Sequence, residues 1–249
     1  MEFRYSINRS SSNIQQAFIE FFSEVINSIL DGEETTIYIV SPWITNIKFT
    51  EYSSEGIGVE PYVMFRDLLS LFKWLGERKT LKVVVRSYDD LLAPDKLYTY
   101  LSLKEKMEET ADIGLIELYR LSEEEVKRAL EQILLVKEII RAGAHVRFRP
   151  RLHSKIYVSP SSALLGSANL THSGFKLNEE FLIRIPSRNP LYHEIKEAAE
   201  NYFKSDSLTE EECERRTLYK LKIILNKYWP LPDDLNEFIN FLRKEIGVY

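Results

Sequence analysis

Apolar residues recur at the three-and-four spacing of a helix face through Ile14, Ala17, Phe18, Phe21, Phe22, Val25, Ile26, Ile29 and Leu30. That period predicts an amphipathic first helix whose stripe goes to a core. Ser12 or Asn13 offers a cap at its start, and Gly32 lies just past its end. Thr35 to Ser41 is a β-branched run closed by Pro42, and it reads as a buried strand. Residues 48–60 carry no clear period and read as a loop. Pro61 to Arg78 reads as a second amphipathic helix, through Val63, Phe65, Leu68, Leu69, Phe72 and Leu75. Leu81 to Ser87 is the next strand.

Asp89 to Glu117 is mixed and charged, and predicts one or two short helices. Ser122-Glu123-Glu124-Glu125 reads as a capping box that opens a helix through Val126, Leu130, Ile133, Leu134, Val136, Ile139 and Ile140. Alternation returns at His145 to Arg149, an extended run follows from Leu152 to Val158, and Phe181 to Ile185 is a strand stopped by Pro186. Three helical patterns close the chain at 191–204, 209–228 and 233–246, the last two separated by Trp229-Pro230-Leu231-Pro232. Strands alternating with helices of this length predict an α/β fold: a mixed, mainly parallel β-sheet flanked by helices on both faces, with a C-terminal helical extension. The expected division is a catalytic domain over 1–187 and a helical extension over 188–249 packed on it.

Composition narrows the class. The chain has 249 residues, 44% apolar and 29% charged, enough for a substantial core in a soluble protein. Its formal net charge of −5 gives no global attraction to nucleic acid or anionic lipid, so anion binding must come from a local patch. One cysteine, Cys213, excludes an intramolecular disulfide and a cysteine-rich metal site. No stretch approaches the ~20 apolar residues that span a bilayer, and Met1-Glu2-Phe3-Arg4 opens no signal-peptide core. A cytoplasmic protein with no membrane partner is the expectation.

A local reversal of sign appears between Arg141 and Lys155. Arg141, Arg147, Arg149, Arg151 and Lys155 occur there without a carboxylate, together with His145 and His153. Period-two alternation places His145, Arg147 and Arg149 on one strand face, an anion-binding rim. Trp43 leaves the end of the Thr35–Ser41 strand, where ligand-contacting groups of open α/β sheets sit. In Leu152-His153-Ser154-Lys155 the imidazole and the ammonium share one face of an extended segment. Gly166-Ser167-Ala168-Asn169 then supplies a bend and short polar groups. A nucleophile, a cation and small donors together describe a pocket for a phosphate diester.

These pieces resemble the phospholipase D superfamily signature: His153-x-Lys155, Gly166-Ser167-x-Asn169, Leu170-Thr171-x-x-Gly174 and Asn178-x-Glu180, in that order. The resemblance is close from Arg151 to about Arg184 and looser over Ile37–Ile44. The family's usual aspartate five residues after the lysine is mainly structural, and Pro160 replaces it here. The resemblance implies a phospholipase D-like fold and two-step, metal-independent chemistry with no cofactor. His153 would attack phosphorus, Lys155 and Asn169 would hold the phosphoryl oxygens, and Ser167 would orient the site. Glu180 would bond the second nitrogen of an active-site imidazole.

A single motif supplies one histidine, whereas the reaction asks for a nucleophile and a leaving-group acid. The superfamily's single-motif nucleases solve this at a two-fold axis, so a homodimer with one composite site is expected. An endonuclease is the leading reading, on DNA ahead of RNA, with a helicase or other nucleic-acid-processing protein as a candidate partner. A phospholipase D or phosphatidyl transferase is the alternative, and an inactive nucleic-acid-binding module the third.

Overall fold

Burial of its apolar stripe, rather than capping charge, makes the first helix. In the computed structural model, which describes residues 6–8, 11–33, 35–51, 56–59, 63–109, 112–176, 178–225 and 232–246, Ile14, Phe18, Phe21, Phe22, Val25 and Ile26 are wholly buried. Each such side chain contributes roughly 1.5–3 kcal/mol. The elements in chain order are β1 (Ser6–Asn8), α1 (Ser11–Leu30), β2 (Ile37–Val40), β3 (Ile57–Val59), β4 (Val63–Phe65), α2 (Leu68–Glu77), β5 (Leu81–Arg86), α3 (Tyr88–Leu91), α4 (Pro94–Glu109) and α5 (Ile113–Arg141). They continue with β6 (His145–Arg149), β7 (Ile156–Val158), β8 (Ser162–Gly166), α6 (His172–Lys176), β9 (Leu182–Pro186), α7 (Pro190–Lys204), α8 (Glu210–Leu225) and α9 (Leu235–Ile246).

The chain divides into two units, 1–86 with 135–207 and 87–134 with 208–249. The expected boundary at 187/188 is therefore displaced. α7 belongs to the first unit because Tyr192, Ile195 and Ala199 join Tyr38, Val40, Val84, Leu152, Val158, Ala163 and Ile185 in one core cluster. Residues 87–134, expected in the catalytic domain, group with α8 and α9 instead.

In the first unit the described strands form a seven-stranded sheet in the order β1-β9-β8-β7-β2-β5-β6. It is mixed, and helices cover both faces. Phe18 of α1 meets Tyr157 edge-on at 4.9 Å, while the neighbouring Val158 faces α7. Parallel pairing is confined to β2–β5 and β5–β6; the other pairs are antiparallel, so the sheet is not mainly parallel in its ladders. The link from β7 to β8, Ser159 to Ser161, is far too short for the crossover that a parallel pair needs.

Two local expectations fail for identifiable reasons. The helix read over Pro61–Arg78 begins only at Leu68, and Val63–Phe65 pairs with Ile57–Val59 as a hairpin. Asp67 sets the start by accepting the Ser70 amide at 2.8 Å, and the β3 segment lies inside what read as loop. Ser122 lies within α5 rather than capping it. The helix starts after Asp112, whose carboxylate accepts the Gly114 and Leu115 amides at 2.7 and 3.1 Å. Glu123 serves instead as an i,i+4 partner of Lys127, at 3.2 Å.

In the second unit α3 meets α8 through a buried charge. The Asp89 side chain has no exposure and accepts from Arg216 Nε at 3.0 Å and from Lys220 Nζ. Beside it the Tyr88 amide donates to the Cys213 sulfur at 3.3 Å, and burial pushes that thiol up to about 12. The 209–228 and 233–246 patterns appear as α8 and α9, while Trp229, Pro230 and Leu231 lie outside the described residues. Among the described residues no helix is long and apolar enough to cross a membrane.

Candidate active site

Antiparallel pairing of Ile156 with Leu165 sets the register that assembles the site. Continued outward, it lays the Leu152–Lys155 segment beside the Gly166–Asn169 segment, and the Gly166 amide donates to the Lys155 carbonyl at 3.4 Å. The ladder begins at Ile156, so His153 and Lys155 lie in the irregular lead-in to β7 rather than in the strand. The Lys155 ammonium turns back and donates to the His153 carbonyl at 2.6 Å. His153 is exposed, and its imidazole has no hydrogen-bond partner among the described residues.

The Gly-Ser-Ala-Asn loop is fixed by close approach. A Cβ at Gly166 would lie 2.0 Å from the Phe181 carbonyl oxygen, and one at Gly174 would lie 2.4 Å from the Asn169 carbonyl oxygen. Glycine at 166 thus serves backbone contact rather than the bend expected of it. Ser167 and Phe181 exchange hydrogen bonds at 3.1 Å in both directions, amide to carbonyl and amide to hydroxyl. Below them Tyr157 donates to the Ala168 carbonyl at 2.8 Å, and the Leu170 amide donates to Ser41 Oγ at 3.3 Å. Burial raises the Tyr157 phenol well above its ordinary value, so it remains a donor. Ser41 and Tyr157 are site-supporting groups that the sequence reading missed. Each sits inside a strand pattern, and its polar partner is distant in the chain.

Glu180 is committed within its own loop. One carboxylate oxygen accepts the Ser167 hydroxyl, and the other accepts the Asn178 amide at 3.1 Å. The imidazole bond implied for Glu180 is not among those made by the described residues. The Asn169 side-chain oxygen is buried without a partner among the described residues. Desolvation pulls the Lys155 ammonium below the ordinary lysine value; the Glu180 carboxylate opposes that shift, and the Arg86 guanidinium adds to it. Arg86, at the end of β5, donates from Nη2 to the Leu152 carbonyl at 2.9 Å and stands 5.8 Å from the ring of Trp43. Nothing in the sequence marked it, because it reads as the last residue of a buried strand.

The expected anion rim is partly structural. β6 is the edge strand, and Arg149 stacks over Tyr202 at 4.7 Å, donates to the Ser205 carbonyl at 3.1 Å and lies 3.9 Å from Asp206. It thereby ties the end of α7 to the sheet. Arg147 lies 5.8 Å from the Phe203 ring, and Arg151 is exposed with a φ of 55°. Trp43 is half-buried beside Arg86.

Pro160 lies in the turn at the other end of β7 from His153 and Lys155. There Glu24 of α1 accepts from Ser161 Oγ at 2.9 Å and Ser162 Oγ at 3.2 Å, and also pairs with Arg184. The Tyr192 hydroxyl donates to the Ser159 carbonyl at 2.6 Å. A carboxylate thus anchors this turn although the turn contains none. Among the described residues no group of three or more His, Cys, Asp or Glu side chains is placed to hold a metal ion.

A family model described as "Cardiolipin synthase, PLD-like domain" matches residues 82–207, just over half of the chain. The chain belongs to this phospholipase D-like family. Solved structures of similar fold include Nuc, a phospholipase D family member from Salmonella typhimurium, at 10% identity over 82% of this chain and 97% of that one, with a TM-score of 0.47. NucT from Helicobacter pylori has 12% identity over 83% and 99%, TM-score 0.42. Phosphatidylserine synthase from Haemophilus influenzae Rd KW20 has 14% identity over 98% and 44%, TM-score 0.47. No curated protein sequence matches.

Proposed function

We propose that the protein is a metal-independent phosphodiesterase, acting as an endonuclease through a phosphohistidine on His153 at a site completed by a second copy. One observation carries the reading. Lys155 is partly desolvated beside a second cation, Arg86, with the Glu180 carboxylate opposing the loss of its charge, next to an imidazole that has no hydrogen-bond partner among the described residues. Excess positive charge at half-buried groups is stabilised by an anion, and a phosphoryl group in flight carries negative charge on its non-bridging oxygens.

In this reading the His153 ring nitrogen forms a bond to phosphorus as the leaving oxygen departs. The second copy's His153 gives that oxygen its proton and then draws a proton from the water that cleaves the phosphohistidine. Lys155 and Asn169 hold the non-bridging oxygens, and Glu180 fixes Ser167. Arg147 and Arg151 on the approach favour a nucleic acid, with DNA ahead of RNA. The family model's cardiolipin synthase description supports a second reading, transfer or hydrolysis at a lipid phosphodiester.

The test is incubation of the purified protein with labelled DNA, RNA and phospholipid in excess EDTA, with acid-labile, base-stable phosphate on the protein as a second readout. DNA cleavage with such trapping supports the endonuclease. Turnover of phospholipid alone supports the second reading, and inactivity on all three defeats both.

A further inference from the structure

The two peptide units that flank His153 are each gripped by a cation. On the C-terminal side the Lys155 ammonium donates to the His153 carbonyl at 2.6 Å. On the N-terminal side Arg86 Nη2 donates to the Leu152 carbonyl at 2.9 Å. Those units determine the backbone torsions of His153, and with them the direction in which the imidazole leaves the chain. Leu152 is anchored further by its side chain, 2% exposed within the α7-face cluster. Arg151 before it holds a positive φ of 55°, a conformation that is unfavourable for a non-glycine residue and persists only where neighbours enforce it.

The two grips differ in one respect. Lys155 is the group that meets the phosphoryl oxygens, and a lysine that turns to substrate leaves the His153 carbonyl behind. Arg86 is already committed to the main chain. Its Nη2 stays on Leu152, its guanidinium lies 5.8 Å from the Trp43 ring, and its Nε is buried. At the moment of attack the main chain of the nucleophile is then held from one side alone. A planar guanidinium, with donors in a fixed fork, suits that role better than a single flexible ammonium.

We propose that Arg86 is a positioning residue of the active site, holding the Leu152 carbonyl so that the His153 imidazole keeps its line of attack when Lys155 moves to the phosphate. The proposal rests on the phosphodiesterase reading. It also explains why two like charges share one half-buried corner: one binds the substrate and the other binds the protein.

The test uses the full chain with Arg86→Met, which keeps length and loses the donor, and Arg86→Lys, which keeps a donor and the charge. A misplaced nucleophile costs about a hundred-fold in rate. Arg86→Met is therefore expected to lower kcat by about that factor with KM within about three-fold, and Arg86→Lys to recover part of kcat. In the imidazole nitrogen NMR spectrum, assigned with His153→Ala, the His153 signals should shift or broaden in Arg86→Met. Those of His145, His172 and His193 should stay in place. Wild-type kcat in a folded Arg86→Met protein overturns the proposal. A raised KM with unchanged kcat also overturns it, since that marks a substrate-binding cation. If Arg86→Met does not fold, Arg86→Lys decides: reduced kcat with displaced His153 signals supports the role, and wild-type kcat or unmoved His153 signals refute it. A wild-type protein inactive on DNA, RNA and phospholipid defeats the functional reading, while the His153 signals still decide what Arg86 holds.

Discussion

The Ser167 hydroxyl donates to the carboxylate of Glu180, and that carboxylate also opposes the burial that lowers the Lys155 pKa. Glu180→Gln keeps most of the shape and removes the charge. Glu180 raises the Lys155 pKa, so its loss lowers a value already depressed by burial. The alkaline limb of the rate profile, where Lys155 gives up its proton, is expected to move to lower pH. Ser167→Ala should lower the rate with a smaller movement of that limb. A kcat/KM profile against pH checks both.

His153→Ala is expected to abolish phosphodiester cleavage and leave the fold intact, because the side chain is exposed and has no hydrogen-bond partner among the described residues. Lys155→Ala should cost about 3 kcal/mol of transition-state stabilisation, the scale of a lost oxyanion donor. Single-turnover cleavage alongside circular dichroism separates loss of chemistry from loss of fold.

Arg147 and Arg149 are neighbours on β6 with different commitments, and their variants should separate. Arg149→Ala removes the stack on Tyr202 and the bond to Ser205, so its main effect is a lower Tm. Arg147→Ala should leave Tm nearly unchanged and weaken nucleic-acid binding, flattening the salt dependence by about one unit of slope. Binding isotherms over a series of salt concentrations, with thermal melts, read the two effects apart.

Asp89→Asn tests the second unit. Burial alone would raise the Asp89 carboxyl, but the hydrogen bond from Lys220 and the charges of Lys220 and Arg216 outweigh it and lower the pKa. A carboxyl depressed in the folded state contributes stability above its unfolded value, and that contribution fades as pH falls through the folded one. Asp89→Asn should cost about 1–3 kcal/mol at neutral pH, the range for hydrogen bonds to a charged group. The difference from wild type should shrink on acidification below the ordinary aspartate value of 3.8. Denaturant titrations at several pH values measure it.

Mixing tests the composite site. Co-refolded wild-type and His153→Ala chains at equal amounts should retain about one quarter of the activity, falling with the square of the wild-type fraction. A subunit sufficient in itself would retain about half.

How much was legible follows from what each residue type can do. His153, Lys155, Ser167, Asn169 and Glu180 were visible through their resemblance to a family signature; the β7–β8 register lays the first two beside Gly166–Asn169, and the β8–β9 register brings in the segment of Glu180. Val63 and Phe65 misled because a short run of apolar positions satisfies a helix and a short strand alike. Only the Asp67 cap, which names a start, decides between them. The unit boundary was invisible, since the Asp89–Arg216 and Tyr88–Cys213 pairs join residues far apart in sequence. Arg86 was hidden for a similar reason: its partner is a main-chain carbonyl, which leaves no mark in the sequence.

Glu24 anchors the β7–β8 turn from another helix, through Ser161 and Ser162, where the family pattern places an acid in the turn itself. The anchoring charge has changed address without leaving the fold. A motif filter that insists on an acid at position 160 would discard this chain for a difference at the end of β7 remote from His153. The better search term is a turn rich in hydroxyls facing a helix-borne glutamate. Chains selected on that basis would include members that their own signature conceals.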